Sequence, residues 1–388
     1  MHIICYYMKI AIVGGGIGGL TTAIALHRKG ISATVFETSA ELKPVGAGII
    51  LANNATQVLQ RLGLLAALRN AGHPISELRI TDAQLHPISR SDLAYFERLN
   101  GAGSLAIHRA ELQRILLEHL PAGQFRLNKR VERVEVVPGQ GADLQFGDGT
   151  RERYDAVIGA DGIHSVVRNA VTTESTIRKA GQICWRGIAA YRLPAAAQHC
   201  LQEAWGTGLR FGFTHISATH VYWYALATGL DLTPQSPAQL QQLFRDFAPL
   251  VGQILSHTSA AQIMTHEILD FKPLSTWEQG AVCLIGDAAH ATTPNLGQGA
   301  CQAIVDAYTL AELFTSGTEV APIFRRFYET RHAKTALVTT TSWNVGKLAH
   351  LQNPMACRLR NTLMRLTPAF ISRKQNEKLF ALELDSLT

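Results

Sequence analysis

Four short apolar runs punctuate this chain, and each gives way to glycine or an acid. They are Lys9-Ile-Ala-Ile-Val13, Ser32 to Phe36, Tyr154-Asp-Ala-Val-Ile158 and Ala281 to Ile285. Continuous apolar runs of this length, bounded by turn residues, predict buried strands. Gly14-Gly-Gly-Ile-Gly-Gly19 follows the first run, and a helical pattern then continues to about Lys29, where Gly30 stops it. The fourth run meets Gly286-Asp287 and a loop holding Pro294, Gly297 and Gly299. From Gly299 to about Phe314 the apolar residues recur at helical spacing (Ala303, Ile304, Ala307, Leu310, Ala311). The third run meets Gly159-Ala-Asp-Gly-Ile-His-Ser-Val-Val-Arg168, which predicts the same strand, acidic turn and helix.

Between these units the texture changes. Helices are expected over Asn53–Leu62 and His108–Leu120, the second closed by Pro121. Val131–Val137 and Leu144–Phe146, with turns at Gly139-Gln-Gly141 and Asp148-Gly149, read as an antiparallel meander. From about 175 to 275 strands are expected near Gln182–Arg192, Leu209–Thr214, Val221–Ala227 and Met264–Asp270, with a helix over Pro237–Phe247. Alternation puts Tyr222 and Tyr224 on one face of their strand and Trp223 on the other, so one face could wall a pocket. Arg210 interrupts an apolar segment there, as an exposed edge residue or a pocket residue. The tail, Val320 to Leu387, reads as helices broken at Pro354 and Pro368. The class is α/β: a Rossmann-like dinucleotide domain (8–175 and 276–340), an inserted, mostly antiparallel β domain (176–275) and C-terminal helices (341–388).

Composition narrows the function. With 47% hydrophobic and 17% charged residues over 388 positions, the chain has material for a large core and is not disordered. The net charge of +6 is scattered, without a basic arm for nucleic acid. Basic residues gather late, at Arg358, Arg360, Arg365, Arg373 and Lys374. A solvated helix face is the first reading of them, and a surface for an anionic cofactor or a membrane the second; membrane contact is not expected. Six cysteines show no framework spacing, which fits reduced thiols in a cytoplasm. Met1–Met8 does not resemble a signal peptide, and Met8 is an alternative start. No apolar run approaches the roughly 20 residues that cross a bilayer. No metal site is expected, since His266-Glu267 lacks the second histidine of a zincin.

The opening βαβ unit carries the clearest chemistry. Gly14, Gly16 and Gly19 stand at the fingerprint spacing of a dinucleotide site, and Glu37 ends the second strand where a ribose-binding carboxylate is required. No arginine adjoins Glu37 to receive a 2′-phosphate. Arg109 sits in the first turn of its helix, where the dipole disfavours a cation, so an anion nearby is its expected partner. His164 is expected to pack or cap.

Taken together, Gly14-x-Gly-x-x-Gly19 with Glu37, Gly159-Ala-Asp-Gly162 with Arg168, and Gly286-Asp287 through Gly299 resemble the single-component flavoprotein aromatic hydroxylases, the para-hydroxybenzoate hydroxylase-like family. Asn53, Arg109 and Pro294-Asn-Leu-Gly-Gln-Gly299 look like the branch of FAD-dependent urate hydroxylases and zeaxanthin epoxidase-like enzymes. The resemblance implies FAD on the first βαβ unit, with Glu37 on the adenosine ribose and Arg109 near the phosphates. It implies that Asp161 serves both FAD and NAD(P)H, that Asp287 meets the ribityl chain, and that the Gly297 and Gly299 loop flanks the flavin. Pro294 matches the position beside the reactive flavin carbon, and Arg210 and Tyr222 match substrate-binding positions. The implied activity is hydroxylation of a small aromatic or heterocyclic substrate with NADH or NADPH and O2, through a flavin C4a-hydroperoxide. A flavin-dependent epoxidase, a prenyl-chain reductase and a non-catalytic flavin-binding module are the alternatives. The halogenase signature Trp-x-Trp-x-Ile-Pro is missing. Monomer and homodimer are both compatible. Three departures stand out: Asn295 where urate hydroxylases carry aspartate, Val305-Asp306 in the following helix, and Trp185-Arg186.

Overall fold

The computed structural model describes residues 8–42, 46–174, 176–229, 235–314 and 319–382. Residues 1–7, 43–45 and the end of the tail lie outside these residues. The first apolar runs form the strands expected of them. A six-stranded sheet runs in the order Glu278–Gln279, Val282–Leu284, Ala156–Gly159, Ile10–Val13, Ala33–Phe36 and Phe125–Arg126. Its four inner pairings are parallel, and only the Glu278–Gln279 edge is antiparallel. Every residue of Ile10–Val13 is buried, as a strand covered on both faces requires.

Register decides what this sheet can do. Val13 pairs with Phe36 on one side and Gly159 on the other, and Gly159 pairs with Leu284. The connections after these four strands therefore leave the sheet at one level, bringing Gly14, Glu37, Asp161 and Asp287 to the same carboxyl edge. Ligands of open parallel sheets bind at that edge. Helix Ile17–Arg28 packs along Gly299–Leu313, with Gly18 facing Ala303.

The second large sheet is seven-stranded, in the order Met264–Phe271, Ile177–Ala189, Val221–Thr228, Leu209–His215, Cys200–Trp205, Glu77–Asp82 and Pro87–Asp92. Trp185, Phe211 and Trp223 on one face pack with Phe244, Phe247 and Val251 of the helical segment behind it. Tyr222 and Tyr224 lie on the other face, as alternation predicted, with rings 5.8 Å apart. That face meets the dinucleotide domain: a Cβ on Gly48 would stand 2.3 Å from Cγ of Tyr222, so only glycine lets the two domains approach here.

Several expectations change. After Gly159 no α-helix forms; a 3-10 turn, Val167–Ala170, takes its place. The β domain extends beyond 176–275, because Glu77–Asp82 pairs in parallel with Cys200–Trp205 and carries Pro87–Asp92 with it. A boundary at 340 falls inside one uninterrupted helix, Val320–Ala349. The helix from Pro237 stops at Leu243, and a separate one, Pro249–Ser256, begins at the next proline. Arg210 is not an exposed edge residue: its strand is interior and it is 2% exposed. Pro354 and Pro368 start the last two helices, Pro354–Leu366 and Ala369–Phe380. No helix among the described residues is long and apolar enough to cross a membrane.

Candidate cofactor and substrate site

The three fingerprint glycines have different jobs. Gly14 has φ +110°, and a Cβ there would lie 2.4 Å from the carbonyl oxygen of Ala160. A Cβ on Gly19 would lie 2.0 Å from the carbonyl oxygen of Gly14. Both are therefore required by the chain itself. Gly16 has ordinary extended backbone, and its missing Cβ would meet nothing within 4 Å. Only something outside the chain needs that position bare. Gly16 opens the N-terminus of helix Ile17–Arg28, whose free N–H groups and dipole favour a phosphate.

A cleft of about 580 Å³ opens beside it, lined among others by Gly15, Gly16, Glu37, Arg109 and Gln113. Glu37 accepts a hydrogen bond from the Gly15 N–H at 2.9 Å and another from Ser39 N–H at 2.9 Å. Each oxygen keeps a free lone pair for ribose hydroxyls. Arg109 is exposed on the cleft wall at the start of helix Arg109–Glu118, and no ion pair engages it among the described residues. The conflict with the helix dipole is thus unrelieved by the protein, as expected of a cation that waits for a phosphate.

Asp161 turns inward at the same edge. It accepts from the Ser165 hydroxyl at 2.5 Å and from the N–H groups of Val166 at 2.7 Å and Val167 at 3.2 Å. Burial pushes its carboxyl up against those hydrogen bonds. These contacts end the chain's turn early and explain the 3-10 segment. Arg168 donates to the carbonyls of Ile163 at 2.6 Å and Ala288 at 3.1 Å, tying this turn to the one at Gly286. His164 is exposed, and no capping bond places it.

At the fourth strand, Gly286 has φ +55° and Asp287 follows it, exposed at the same carboxyl edge, where the surrounding protein pushes its carboxyl up against the charges of His290 and Arg109. The support beneath was missed in the sequence. Asp306, fully buried, accepts from the Gly286 N–H at 3.0 Å, from His290 and from Arg331 Nε at 2.8 Å. Burial pushes the Asp306 carboxyl up, but the His290 and Arg331 charges outweigh it and hold the group down at about 2. His290 therefore supports the turn. Asp306 could have been found as the one acid on an apolar helix face. Pro294–Leu296 forms a 3-10 turn ended by Gly297 at φ +62°, and Gly299 begins a 15-residue helix whose N-terminus faces this loop.

The substrate-facing sheet holds a second buried network. Arg210 donates through Nε to Glu203 at 2.8 Å and through Nη1 to Asn295 Oδ1 at 2.5 Å. Trp205 and Tyr224 donate to the same Glu203 carboxylate. Burial raises the Glu203 carboxyl, but Arg210 and these donors bring it below its usual range. Asn295 in turn donates to Thr293 Oγ1 and to the Ser342 carbonyl, both at 2.9 Å, so the network anchors the Pro294 loop. With Glu203 supplying the carboxylate, an aspartate at 295 would place a second negative charge on one arginine; the neutral amide suits the site. Tyr222 is 5% exposed, and burial pushes its phenol up to about 12 against the pull of Arg186. Arg186 shares its face, with its Nε buried and without a hydrogen-bond partner, and no ion pair holds it among the described residues. Neither Glu203 nor Arg186 was singled out as functional in the sequence, although each is a charge set in an apolar strand.

These residues fit FAD: a bare helix N-terminus, a free cation at the phosphate level, a ribose-height carboxylate at Glu37 and a second carboxylate, Asp287, further along the cleft. Comparison with known proteins agrees. The family described as FAD binding domain matches residues 7–333. Aurachin C monooxygenase/isomerase of Stigmatella aurantiaca is 34% identical over 92% of this chain and 94% of its own length. The 2-heptyl-3-hydroxy-4(1H)-quinolone synthase of Pseudomonas aeruginosa strain PAO1 is 35% identical over 96% and 98%. The structure of Klebsiella pneumoniae HpxO with FAD and uric acid is 25% identical, covers 98% of both chains and superposes with a TM-score of 0.89. The chain belongs to the FAD-binding-domain family and is an FAD-dependent monooxygenase.

Proposed function

We propose that the enzyme hydroxylates a fused heteroaromatic ring bearing an exocyclic oxygen, of the quinolone type, with Arg186 on that oxygen and Tyr222 and Tyr224 against the ring. The observation that carries this is the engagement of Arg210 by Glu203 and Asn295. It leaves Arg186 as the guanidinium on this face without an acidic partner among the described residues. A half-buried cation needs a counter-charge or a strong acceptor, and the ligand can supply it. Relatives from two Pseudomonas aeruginosa strains, similar over more than nine-tenths of this chain, carry a 4(1H)-quinolone in their names, which supports this ring class.

FAD, when bound and reduced by NAD(P)H, supplies the activation of O2. Gly14, Gly16, Glu37 and Arg109 would hold its nucleotide half, Asp161 and Asp287 stand at the same sheet edge to serve it, and the Gly297–Gly299 loop would offer it the N–H groups of a helix start. Those N–H groups and their dipole favour negative charge at the flavin edge. Pro294 fixes the backbone at the start of this loop, would border the reacting ring and offers no N–H of its own. Arg186 favours the ionised, electron-rich form of the substrate, the form that an electrophilic oxygen attacks. The tyrosine-lined sheet excludes water from the reacting atoms.

The test is NADH and NADPH oxidation by FAD-loaded protein with 4(1H)-quinolones, urate and aminohydroxybenzoates, with H2O2 measured and 18O2 supplied. Quinolones should accelerate oxidation, and one labelled oxygen should enter the product. Turnover of the other rings alone would overturn the substrate reading, and stoichiometric peroxide with every ring would overturn hydroxylation of this panel.

A further inference from the structure

The C-terminal helices carry a surface that the cofactor and substrate site does not use. Eight of the ten large apolar side chains exposed among the described residues lie between Leu337 and Ile371. Helix Pro354–Leu366 shows Met355 at 79%, Leu359 at 62%, Leu363 at 58% and Leu366 at 72% exposure. At 100° per residue these four fall within about 80° of one another, on one stripe. The opposite side of the helix is the packed one, with Cys357 and Arg360 buried. Phe370, at 65%, and Ile371 extend the stripe into the first turn of Ala369–Phe380, and Leu348 adjoins it at the end of the preceding helix. Scattered exposed leucines are ordinary, but a continuous stripe of this kind marks a contact surface.

Charge identifies what the stripe meets. From Lys347 to Lys378 the sequence holds seven basic residues and a single acid, Glu377. The helix wheel sets Arg358 and Arg365 along one flank of the stripe, and Arg373, Lys374 and Lys378 are exposed on the next helix. Arg358, Lys374 and Lys378 form no ion pair among the described residues. An apolar stripe edged by cations, on a helix too short to span, is the pattern of a helix lying in the plane of an anionic lipid surface. A second copy of this chain is a poor match, because a two-fold contact would bring the same cations together with almost no acid to offset them.

We infer that helices Pro354–Leu366 and Ala369–Phe380 dock the enzyme on anionic membrane surfaces. Leucine, methionine and phenylalanine enter the headgroup boundary, and Arg358, Lys374 and Lys378 meet lipid phosphates. This assigns the late basic cluster to a lipid surface where sequence alone favoured solvent.

Co-sedimentation of the FAD-loaded full chain with phosphatidylcholine vesicles, with and without phosphatidylglycerol, tests the inference. Binding is expected to the phosphatidylglycerol vesicles and to weaken as salt is raised. The double variant Leu363→Glu, Leu366→Glu should lower vesicle affinity by about tenfold or more while keeping FAD content and thermal stability, since both side chains are exposed. Arg358→Glu with Lys374→Glu should remove the preference for phosphatidylglycerol. Absence of binding to either vesicle would overturn the proposal, as would binding that both variants leave unchanged. So would a concentration-dependent dimer, seen by light scattering, that the double leucine variant abolishes; the stripe would then belong to a second copy.

Discussion

The cofactor end and the substrate end of this cleft are built by different means. At the cofactor end the proposed framework is backbone, a bare glycine, a helix N-terminus and turns with positive φ at glycine, with Glu37, Arg109 and Asp287 set beside it. At the substrate end they are side chains on a sheet, presented across strands far apart in sequence. Each end stands on a buried carboxylate paired with an arginine, Asp306 with Arg331 and Glu203 with Arg210. The two pairs meet different parts of the segment from Gly286 to Gly299. The Asp306 pair holds the turn that carries Asp287, and the Glu203 pair reaches the loop through Asn295. One continuous segment is thus held at its first turn by one network and at Asn295 by the other.

The largest effect expected is at Gly16. Gly16→Val should leave the chain folded, because nothing lies within 4 Å of the added Cβ, and should abolish FAD retention by filling the path of the pyrophosphate. Flavin absorbance of the purified variant, with circular dichroism as a check on folding, reads this directly; normal FAD content would mean that the nucleotide does not cross Gly16.

Next in size are the two carboxylates, and here the ends of the cleft should separate. Removing one partner of a buried pair costs about 3–5 kcal/mol, because the other charge is stranded. Glu203→Ala strands Arg210 and leaves Trp205 and Tyr224 without their acceptor, yet touches no cofactor group. It should lower stability and raise KM for the organic substrate while FAD affinity holds. Asp306→Ala strands Arg331 and frees the Gly286 turn, so stability and FAD affinity should fall together. If both variants lost FAD equally, the two networks would be one unit and the contrast would fail.

This division also explains what the sequence disclosed. Backbone recognition forces glycine at fixed spacings, so Gly14, Gly16, Gly19 and Glu37 could be placed before any fold was known. Strand register then carried Asp161 and Asp287 to the same edge. The substrate face left no such spacing. Glu203 and Arg210 are seven residues apart on neighbouring strands, and Asn295 comes from another domain. Glu77–Asp82 joins the β domain through parallel pairing with residues more than a hundred positions later, a non-local contact that no local pattern announces. The missing helix after Gly159 has a local cause: Asp161 spends its carboxylate on the N–H groups of the turn.

Arg186 sharpens the comparison at the substrate end. Arg186→Met keeps the stem of the side chain and removes the charge, so the fold should stand. If the substrate presents an ionised oxygen, kcat/KM should fall by about 10- to 100-fold, the value of a hydrogen bond to a charged group, with FAD content unchanged. Arg186→Lys should recover part of that loss. A variant with unaltered kinetics and raised stability would show that the guanidinium only burdens the sheet.

The smallest effect concerns His350, which lies behind the Arg210 network. Its Nδ1 is 3.0 Å from the Thr228 hydroxyl, and its Nε2 is buried without a partner. Burial first, and then the Arg210 charge, push its pKa down to about 3. The folded chain therefore holds this imidazole neutral at a pH where the unfolded chain protonates it. Its contribution to stability is complete above about pH 6.5 and is lost progressively as the pH falls toward 3, amounting to about 2 kcal/mol at pH 5. The Asp306 carboxyl acts in a lower window, between about pH 4 and pH 2, because its pKa too is depressed. His350→Gln keeps a polar group near Thr228 but cannot titrate. Denaturant unfolding at pH 7 and pH 5 should show the wild type losing more stability than the variant by about that amount. Equal losses would mean that water reaches His350 in the folded protein, and that the substrate-side network is less dry than its hydrogen bonds imply.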